Sequence, residues 1–296
     1  MLKRKTRTVL IGNRVVGPGQ PACVVAEIGI NHNGDLNIVK QLIDAAKSAG
    51  CNAVKFQKRT PKLCVPPGEK KKMRETPWGY VSYINYRKKI EFGIKEYREI
   101  NRYCKRQKIA WFASCWDKPS IDFIEQFNPI CYKVPSPMLT DADLLKHFRQ
   151  TGRPIILSTG MSTMKQIQTA VDLLGTSDLI ITHCTSTYPC PLEELNLQMI
   201  QTLMGKFDCP IGYSGHEAGL ATTIAAVALG ASLIERHITL DRAMWGSDQA
   251  ASLEPYGFAR LVKYTRVVEA ALGDGIKKVY DSERPVMRKL RSTDTI

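Results

Sequence analysis

The sequence predicts an α/β fold, a closed (β/α)8 TIM barrel with a short N-terminal β-hairpin. Three observations predict it. Short β-like runs alternate with amphipathic helical stretches from end to end, which implies a parallel sheet with helices outside it. The runs number eight, and eight such units argue for closure over an open sheet. The length of 296 residues is long for one ordinary domain but suits a single barrel of roughly 250 residues.

In chain order, "RTVLIGNRVVG" reads as a hairpin that could plug the bottom of the barrel. It divides the chain into a hairpin (1–20), a barrel (21–275) and a tail (276–296). The expected strands are 22–27, 52–57, 110–115, 130–134, 154–158, 178–182, 209–213 and 232–236. After the first of them comes "AEIGINHNGD", far more polar than a plain connecting turn requires. Asp35 there is placed to cap a helix beginning near Leu36. "LNIVKQLIDAAKSAG" and "ATTIAAVALGA" carry apolar residues at helical spacing. Residues 58–92 are too long for a simple strand-to-helix link and are rich in Lys, Pro, Trp and Tyr, which marks a functional or a disordered segment. Its run "EKKKMR" (69–74) reads as disordered surface, and order is expected over 78–92. The tail after Gly275 shows no periodic pattern and reads as an exposed end.

Composition narrows the class. Hydrophobic content of 44% and charged content of 24% are those of a soluble globular protein. No apolar run approaches the ~20 residues that span a bilayer, and the basic N-terminus lacks the apolar stretch of a secretory signal. The net charge is +14. Its basic residues collect at Lys3–Arg14, at 69–74 and from Lys277 to Arg291, with no nucleic-acid-binding signature, so an anionic metabolite or a solvated surface explains them better than nucleic acid. Nine cysteines without a CxxC pair make neither a zinc ribbon nor a disulfide framework. Cys23, Cys51, Cys115, Cys131, Cys184 and Cys209 lie in or beside apolar runs, as buried thiols of a reducing cytoplasm would.

A barrel carries its active site at the C-terminal ends of its strands. Read in order, those ends hold Glu27; Lys55 and Gln57; Ser114; Lys133 and Ser136; Ser158 and Thr159; Ser186 and Tyr188; Ser214 and His216; Glu235, His237 and Asp248. Lysines and serines together suit a phosphate, supplying point charges and hydroxyl donors, although each alone is ordinary turn chemistry. His216 and His237 follow adjacent expected strands. Spacing alone leaves two readings open: a divalent metal with free positions for substrate, or two buried rings with their nitrogens satisfied. His183 reads as a core or supporting residue, and His147 lies on a polar helix.

"VVGPGQPACVVAEIGINHNGD", "AGCNAVKFQK", "YKVPS", "ILSTGMS", "HCTSTYP", "GYSGHE" and "ERHITLDR" resemble the sialic acid synthase family, whose enzymes condense phosphoenolpyruvate with an N-acylated hexosamine. The resemblance runs from about residue 10 to residue 284. It implies that Lys55, Ser114, Lys133, Ser136, Ser158, Ser186 and Ser214 hold phosphoenolpyruvate, and that Gln57 and Tyr188 line the site. It further implies that His216 and His237 bind a divalent metal, Mn2+ or Mg2+, and that Glu27 and Asp248 contact a sugar aldehyde. Two departures stand out. Met138 occupies the place of a glutamate proposed to handle the attacking water, which leaves that task to another carboxylate or to the phosphate. Family members usually continue into an antifreeze-like domain that delivers an arginine to the partner's sugar pocket, whereas this sequence stops at Ile296. The expected substitute is a lid made by 58–92, with Trp78, Tyr80, Tyr83, Tyr86 and Arg87. The rivals are a Schiff-base aldolase using Lys55 or Lys133 and a sugar-binding homologue that has lost catalysis. The acceptor sugar and the oligomeric state, a homo-oligomer included, are left open.

Overall fold

The computed structural model describes residues 8–293, so Lys3–Arg7 of the basic N-terminus and the last three residues of the tail lie outside the described residues. Two short strands, β1 (Val9–Ile11) and β2 (Arg14–Val16), pair antiparallel. β3 (Cys23–Gly29), α1 (Leu36–Ser48) and β4 (Ala53–Lys58) follow. The long connection then holds α2 (Pro61–Cys64), an antiparallel pair β5 (Met73–Thr76) and β6 (Gly79–Ser82), and α3 (Tyr83–Ile90). Next come α4 (Ile94–Gln107), β7 (Ala110–Cys115), α5 (Lys118–Glu125), β8 (Tyr132–Val134), α6 (Ala142–Gln150) and β9 (Ile155–Ser158). The chain continues through α7 (Met164–Leu174), β10 (Leu179–His183), α8 (Met199–Lys206), β11 (Ile211–Gly215), α9 (Ala221–Ala228) and β12 (Leu233–His237). It ends in α10 (Pro255–Leu272) and α11 (Arg284–Leu290).

β3, β4, β7, β8, β9, β10, β11 and β12 form a closed parallel barrel in that order, with β12 paired to β3. All eight expected strands are therefore present. Their starts move where proline intervenes: Pro154 and Pro210 lack an N–H and contribute only carbonyls, to Tyr132 and Ile181, so β9 and β11 begin one residue after them. Asp35 caps α1 as expected, its carboxylate accepting from the Asn37 N–H at 2.7 Å. Thr163 and Gln166 form a reciprocal cap on α7.

Two apolar layers hold the barrel. Outward-facing strand residues such as Val24, Ala26, Val54, Phe56, Leu157 and Ile234 pack against the helices. Inward-facing Val25, Ala53, Phe112, Cys131, Ile156, Ile180 and Leu233 fill the lower interior, and the hairpin closes that end with Val9, Ile11 and Val16. Among the described residues no helix is long and apolar enough to cross a membrane.

Two expectations need correction. The run 69–74 is ordered: Pro67–Glu69 makes a 3-10 turn, the carbonyls of Lys70 and Lys72 accept from Ile84 and Tyr83, and Met73 opens β5. Arg74 stacks its guanidinium 4.0 Å from the Tyr83 ring, so the aromatic half of the segment fixes the basic half. The tail does contain a helix, α11, whose residues lie mostly exposed.

Candidate active site

The interior alternation continues upward, and its chemistry changes in one step. Two residues beyond each apolar position of the lower layer stands a polar one: Glu27 above Val25, Lys55 above Ala53, Ser114 above Phe112 and Lys133 above Cys131. Ser158 stands above Ile156, Thr182 above Ile180, Ser214 above Gly212 and Glu235 above Leu233. The period of two along a strand puts all of them inside the barrel. All of them but Thr182 bound a cavity of about 160 Å³, together with Gln57, Trp116, Ser136, Cys184, Ser186, Tyr188, His216 and His237. Of the expected site residues, Thr159, whose hydroxyl donates to the Thr182 carbonyl at 3.0 Å, and Asp248 lie off this wall. Asp248 lines the adjoining cavity, with its carboxylate 3.7 Å from His237 Nδ1.

Lysine and carboxylate meet at the centre. Lys133 Nζ lies 2.6 Å from Glu235 Oε1 and donates to Ser214 Oγ at 3.0 Å. Lys55 Nζ lies 2.9 Å from Glu27 Oε2 and 3.6 Å from Glu235 Oε1. Burial pushes the Glu235 carboxyl up, but the Lys133 and Lys55 charges outweigh it and hold it at about 2. Glu27, equally buried and facing one lysine, is instead held above the usual carboxylate range by desolvation. Burial lowers Lys55, and the two carboxylates more than reverse that, so it stays an ammonium. Gln57 donates to Glu27 at 3.0 Å.

On the opposite wall Ser136 Oγ donates to Ser158 Oγ at 3.1 Å and accepts from the Gly160 N–H at 3.1 Å. Cys184 Sγ sits 3.8 Å from Ser136 Oγ and 3.7 Å from His216 Nδ1. The His216 and His237 rings stand 5.5 Å apart, and Tyr188 lies over His216 at 4.0 Å. His216 Nδ1 bonds the Thr185 carbonyl at 2.8 Å, which fixes the ring and leaves Nε2 as the lone-pair nitrogen. Burial drives His237 down to about 3, hence neutral. Cys184 outweighs burial at His216 and raises it. Behind the pair, Arg236 and Glu217 make a fully buried ion pair at 3.0 Å, each the chain neighbour of one histidine. Thus two ring nitrogens converge without a third protein ligand: among the described residues no group of three His, Cys, Asp or Glu is arranged for a metal. That donor set fits two positions of a divalent ion whose other positions come from water and substrate.

The loop after β3 is a fastening. Asn31 Nδ2 donates to the Ile238 carbonyl and to Ser252 Oγ, both at 2.8 Å, and Asn33 Nδ2 donates to the Trp245 carbonyl at 2.9 Å. The same end carries the segment 78–92: Ile30, Tyr86 and Ile90 pack with Trp78, Val81, Tyr83 and Trp245. Tyr83 and Arg87 line the adjoining cavity of about 250 Å³. Tyr80 does not take part, being 70% exposed.

A family model, the NeuB family, matches residues 42–277. The chain belongs to the NeuB family. It is 39% identical over 291 residues to the N-acetylneuraminate-9-phosphate synthase of Homo sapiens, covering 95% of this chain and 79% of that protein. It is 36% identical over 277 residues to the N,N'-diacetyllegionaminic acid synthase of Campylobacter jejuni, covering 91% and 83%. The N-acetylneuraminic acid synthetase structure from Leptospira borgpetersenii superposes with a TM-score of 0.86 at 32% identity, over 97% of this chain and 99% of that one. This NeuB-family chain is accordingly an enzyme, a carbon–carbon bond-forming transferase of the N-acetylneuraminate synthase type.

Four participants escaped the role assignment made from sequence. Glu235 stood among the strand-end residues but received no role, though it sits two residues before His237 and so on the same face. Cys184 read as a buried thiol beside a strand, Trp116 was not singled out, and Gly160 lies inside "ILSTGMS" with no side chain to signal it.

Proposed function

We propose that the chain condenses phosphoenolpyruvate with an N-acyl aldose, giving a 2-keto-3-deoxy sugar acid of the sialic acid kind and inorganic phosphate. One observation supports this most. Gln57 Oε1, Trp116 Nε1, Glu235 Oε2 and His237 Nδ1 are buried without a hydrogen-bond partner, and all four residues line the inner cavity. Such groups are costly unless a ligand completes them. Lys55 and Lys133 take the two anionic ends of phosphoenolpyruvate. Ser114, Ser136, Ser158, Ser186 and Ser214 donate to its oxygens. Gln57, Tyr188, Glu27 and Asp248 face the sugar.

A divalent ion, manganese or magnesium, would be held by His216 and His237 and would polarise the aldehyde oxygen. A ligating imidazole must be unprotonated, so occupancy would fall with acidity. Carbon 3 of the enol attacks the aldehyde carbon, whose oxygen takes up a proton to become a hydroxyl, and carbon 2 is left electron-poor. Water adds to carbon 2 with loss of its protons, the bond from carbon 2 to the phosphate oxygen breaks, and inorganic phosphate leaves behind the 2-keto group. Met138 packs against the outer core, so the carboxylates on the cavity wall are Glu27 and Glu235. Their environments push the two apart. That supports Glu27 as the group that takes the water's proton and Glu235 as the fixed anion that orients the lysines. The ion pairing of both lysines speaks against a Schiff base, which needs a free amine. The nine free cysteines fit the cytoplasm.

The test is phosphate release from phosphoenolpyruvate over a panel of N-acyl sugars and simple aldoses, with enzyme stripped by chelator and reloaded with Mn2+. Turnover that needs both an aldose and the metal, and that His237→Ala abolishes without unfolding the barrel, is expected. Full activity in metal-free enzyme, or a lysine adduct trapped by borohydride, would overturn it. Relatives are named for products with and without a phosphate, so the panel holds both free and phosphorylated sugars.

A further inference from the structure

His216 and His237 leave the barrel side by side. Their strands pair in register, Tyr213 with Ile234, Ser214 with Glu235 and Gly215 with Arg236, and the next residue of each is a histidine on the cavity wall. Only one ring has a bond of its own to hold it. His216 Nδ1 meets the Thr185 carbonyl, whereas His237 Nδ1 is buried without a hydrogen-bond partner. The aim of His237 is therefore set by its backbone and its packing. Its neighbour Arg236 points away from the interior and is 1% exposed although it carries a full charge.

Arg236 reaches across to the other histidine. Its Nη1 donates to Glu217 Oε1 at 3.0 Å, to the Gly219 carbonyl at 2.9 Å and to Thr223 Oγ1 at 2.8 Å, and its Nη2 donates to the Glu217 backbone carbonyl. One guanidinium thus grips both the side chain and the main chain of the residue after His216. Glu217 also accepts from Tyr213 Oη at 2.9 Å, Thr222 Oγ1 at 2.8 Å and Thr223 Oγ1 at 2.7 Å. Gly215 leaves the room for this, since a Cβ there would collide with Glu217 Oε2.

A buried ion pair adds little net stability, because desolvating two charges offsets most of their attraction and apolar side chains of similar volume often serve as well. What apolar packing lacks is a set of directed bonds from one strand end to the next. We propose that the Arg236–Glu217 pair is the positioning device of the two histidines, fixing their separation so that both rings meet one divalent ion. The inference rests on the reading of His216 and His237 as metal ligands. The pair touches no substrate and acts through the backbone on either side of it. Lys55, Lys133, Ser136 and Ser158 stand on other elements of the barrel, so the phosphoenolpyruvate cradle is not its charge.

The experiment titrates Mn2+ into metal-free protein and follows the paramagnetic resonance signal of the unbound ion, beside thermal denaturation and steady-state kinetics. Replacing both partners, Glu217→Gln with Arg236→Met, strands no charge in the core and keeps an acceptor for the three hydroxyls. Expected is a folded protein whose Mn2+ dissociation constant rises by roughly tenfold or more, the scale on which supports of metal ligands act. Added Mn2+ should restore its turnover, with KM for phosphoenolpyruvate unchanged. Arg236→Lys keeps the charge without the fork and should fall between. Should the double variant not fold, Thr223→Ala decides, since it removes one bond from each partner: weaker Mn2+ binding upholds the proposal and equal binding sinks it. Val16→Ala, at the far end of the barrel, is the control for stability alone and should lower the denaturation midpoint without touching Mn2+ affinity. Wild-type affinity in the double variant and in Arg236→Lys, or an equal loss in Val16→Ala, would sink the proposal as well. His237→Ala separates it from the reading beneath it. Mn2+ bound there as tightly as in wild type means that the histidines are not the ligands, and both ideas fall. Mn2+ lost there but kept in the ion-pair variants means that only the positioning role fails.

Discussion

Gly160 stands where a side chain has no room. A Cβ there would collide with Ser186 Oγ and come within 2.8 Å of Ser136 Oγ, the two hydroxyls assigned to the phosphate. Gly160→Ala is therefore expected to displace them and raise KM for phosphoenolpyruvate by roughly tenfold or more, on the scale of one or two lost charged contacts. An unchanged KM would remove these serines from the cradle. His32 carries a different prediction. Its ring is buried against Phe92 at 4.3 Å, its Nδ1 accepts from the Gly34 N–H at 3.0 Å, and burial lowers its pKa from 6.5 to about 3. The unfolded chain takes up a proton below 6.5 while the folded chain does not, so stability falls as pH drops from 6.5 toward 3. At pH 5 this amounts to about 2 kcal/mol, from ~1.36 kcal/mol per pH unit. Denaturation at pH 7 and pH 5 should show the loss, and His32→Asn should shrink it. An identical pH dependence in the variant would show that His32 is not its source.

At the scale of elements, the β1–β2 hairpin and the catalytic layer occupy opposite ends of one interior. Val16 is fully buried against the lower layer, so Val16→Ala should cost about 1–3 kcal/mol by transfer and cavity terms. It should lower the denaturation midpoint while leaving KM for phosphoenolpyruvate as it was, because the lower apolar layer separates the change from the site. A shifted KM would mean that the ends are coupled. The elements were not equally legible. Alternating runs with branched side chains announced all eight barrel strands, because burial on both faces demands such runs. The hairpin β5–β6 was hidden: its burial pattern is largely exposed, and contacts with α3 rather than its own apolar period hold it. α11 was equally hidden, since it buries no face that could mark it.

For the whole molecule, legibility divides along the barrel axis. The lysines, serines and histidines stood out because charged or polar groups are rare inside an apolar barrel exit. Which of them pair did not, since Glu235 meets Lys133 across a barrel that sequence separation conceals. The adjoining cavity was half visible: Arg87 lay in the expected lid, but Arg59, stacked over Trp116, did not stand out.

The closure of β12 onto β3 carries a further consequence, for synthesis. β3 leaves the ribosome roughly 200 residues before the strand that completes it, a wait of ~10–40 s at ~5–20 residues per second. Through that interval "CVVAEIG" is an apolar edge with an unfilled hydrogen-bonding side, the kind of segment that recruits foreign strands. A nascent chain of this protein thus exposes its stickiest stretch first and covers it last, and the segment a holding chaperone should be found on is the one that bears Glu27.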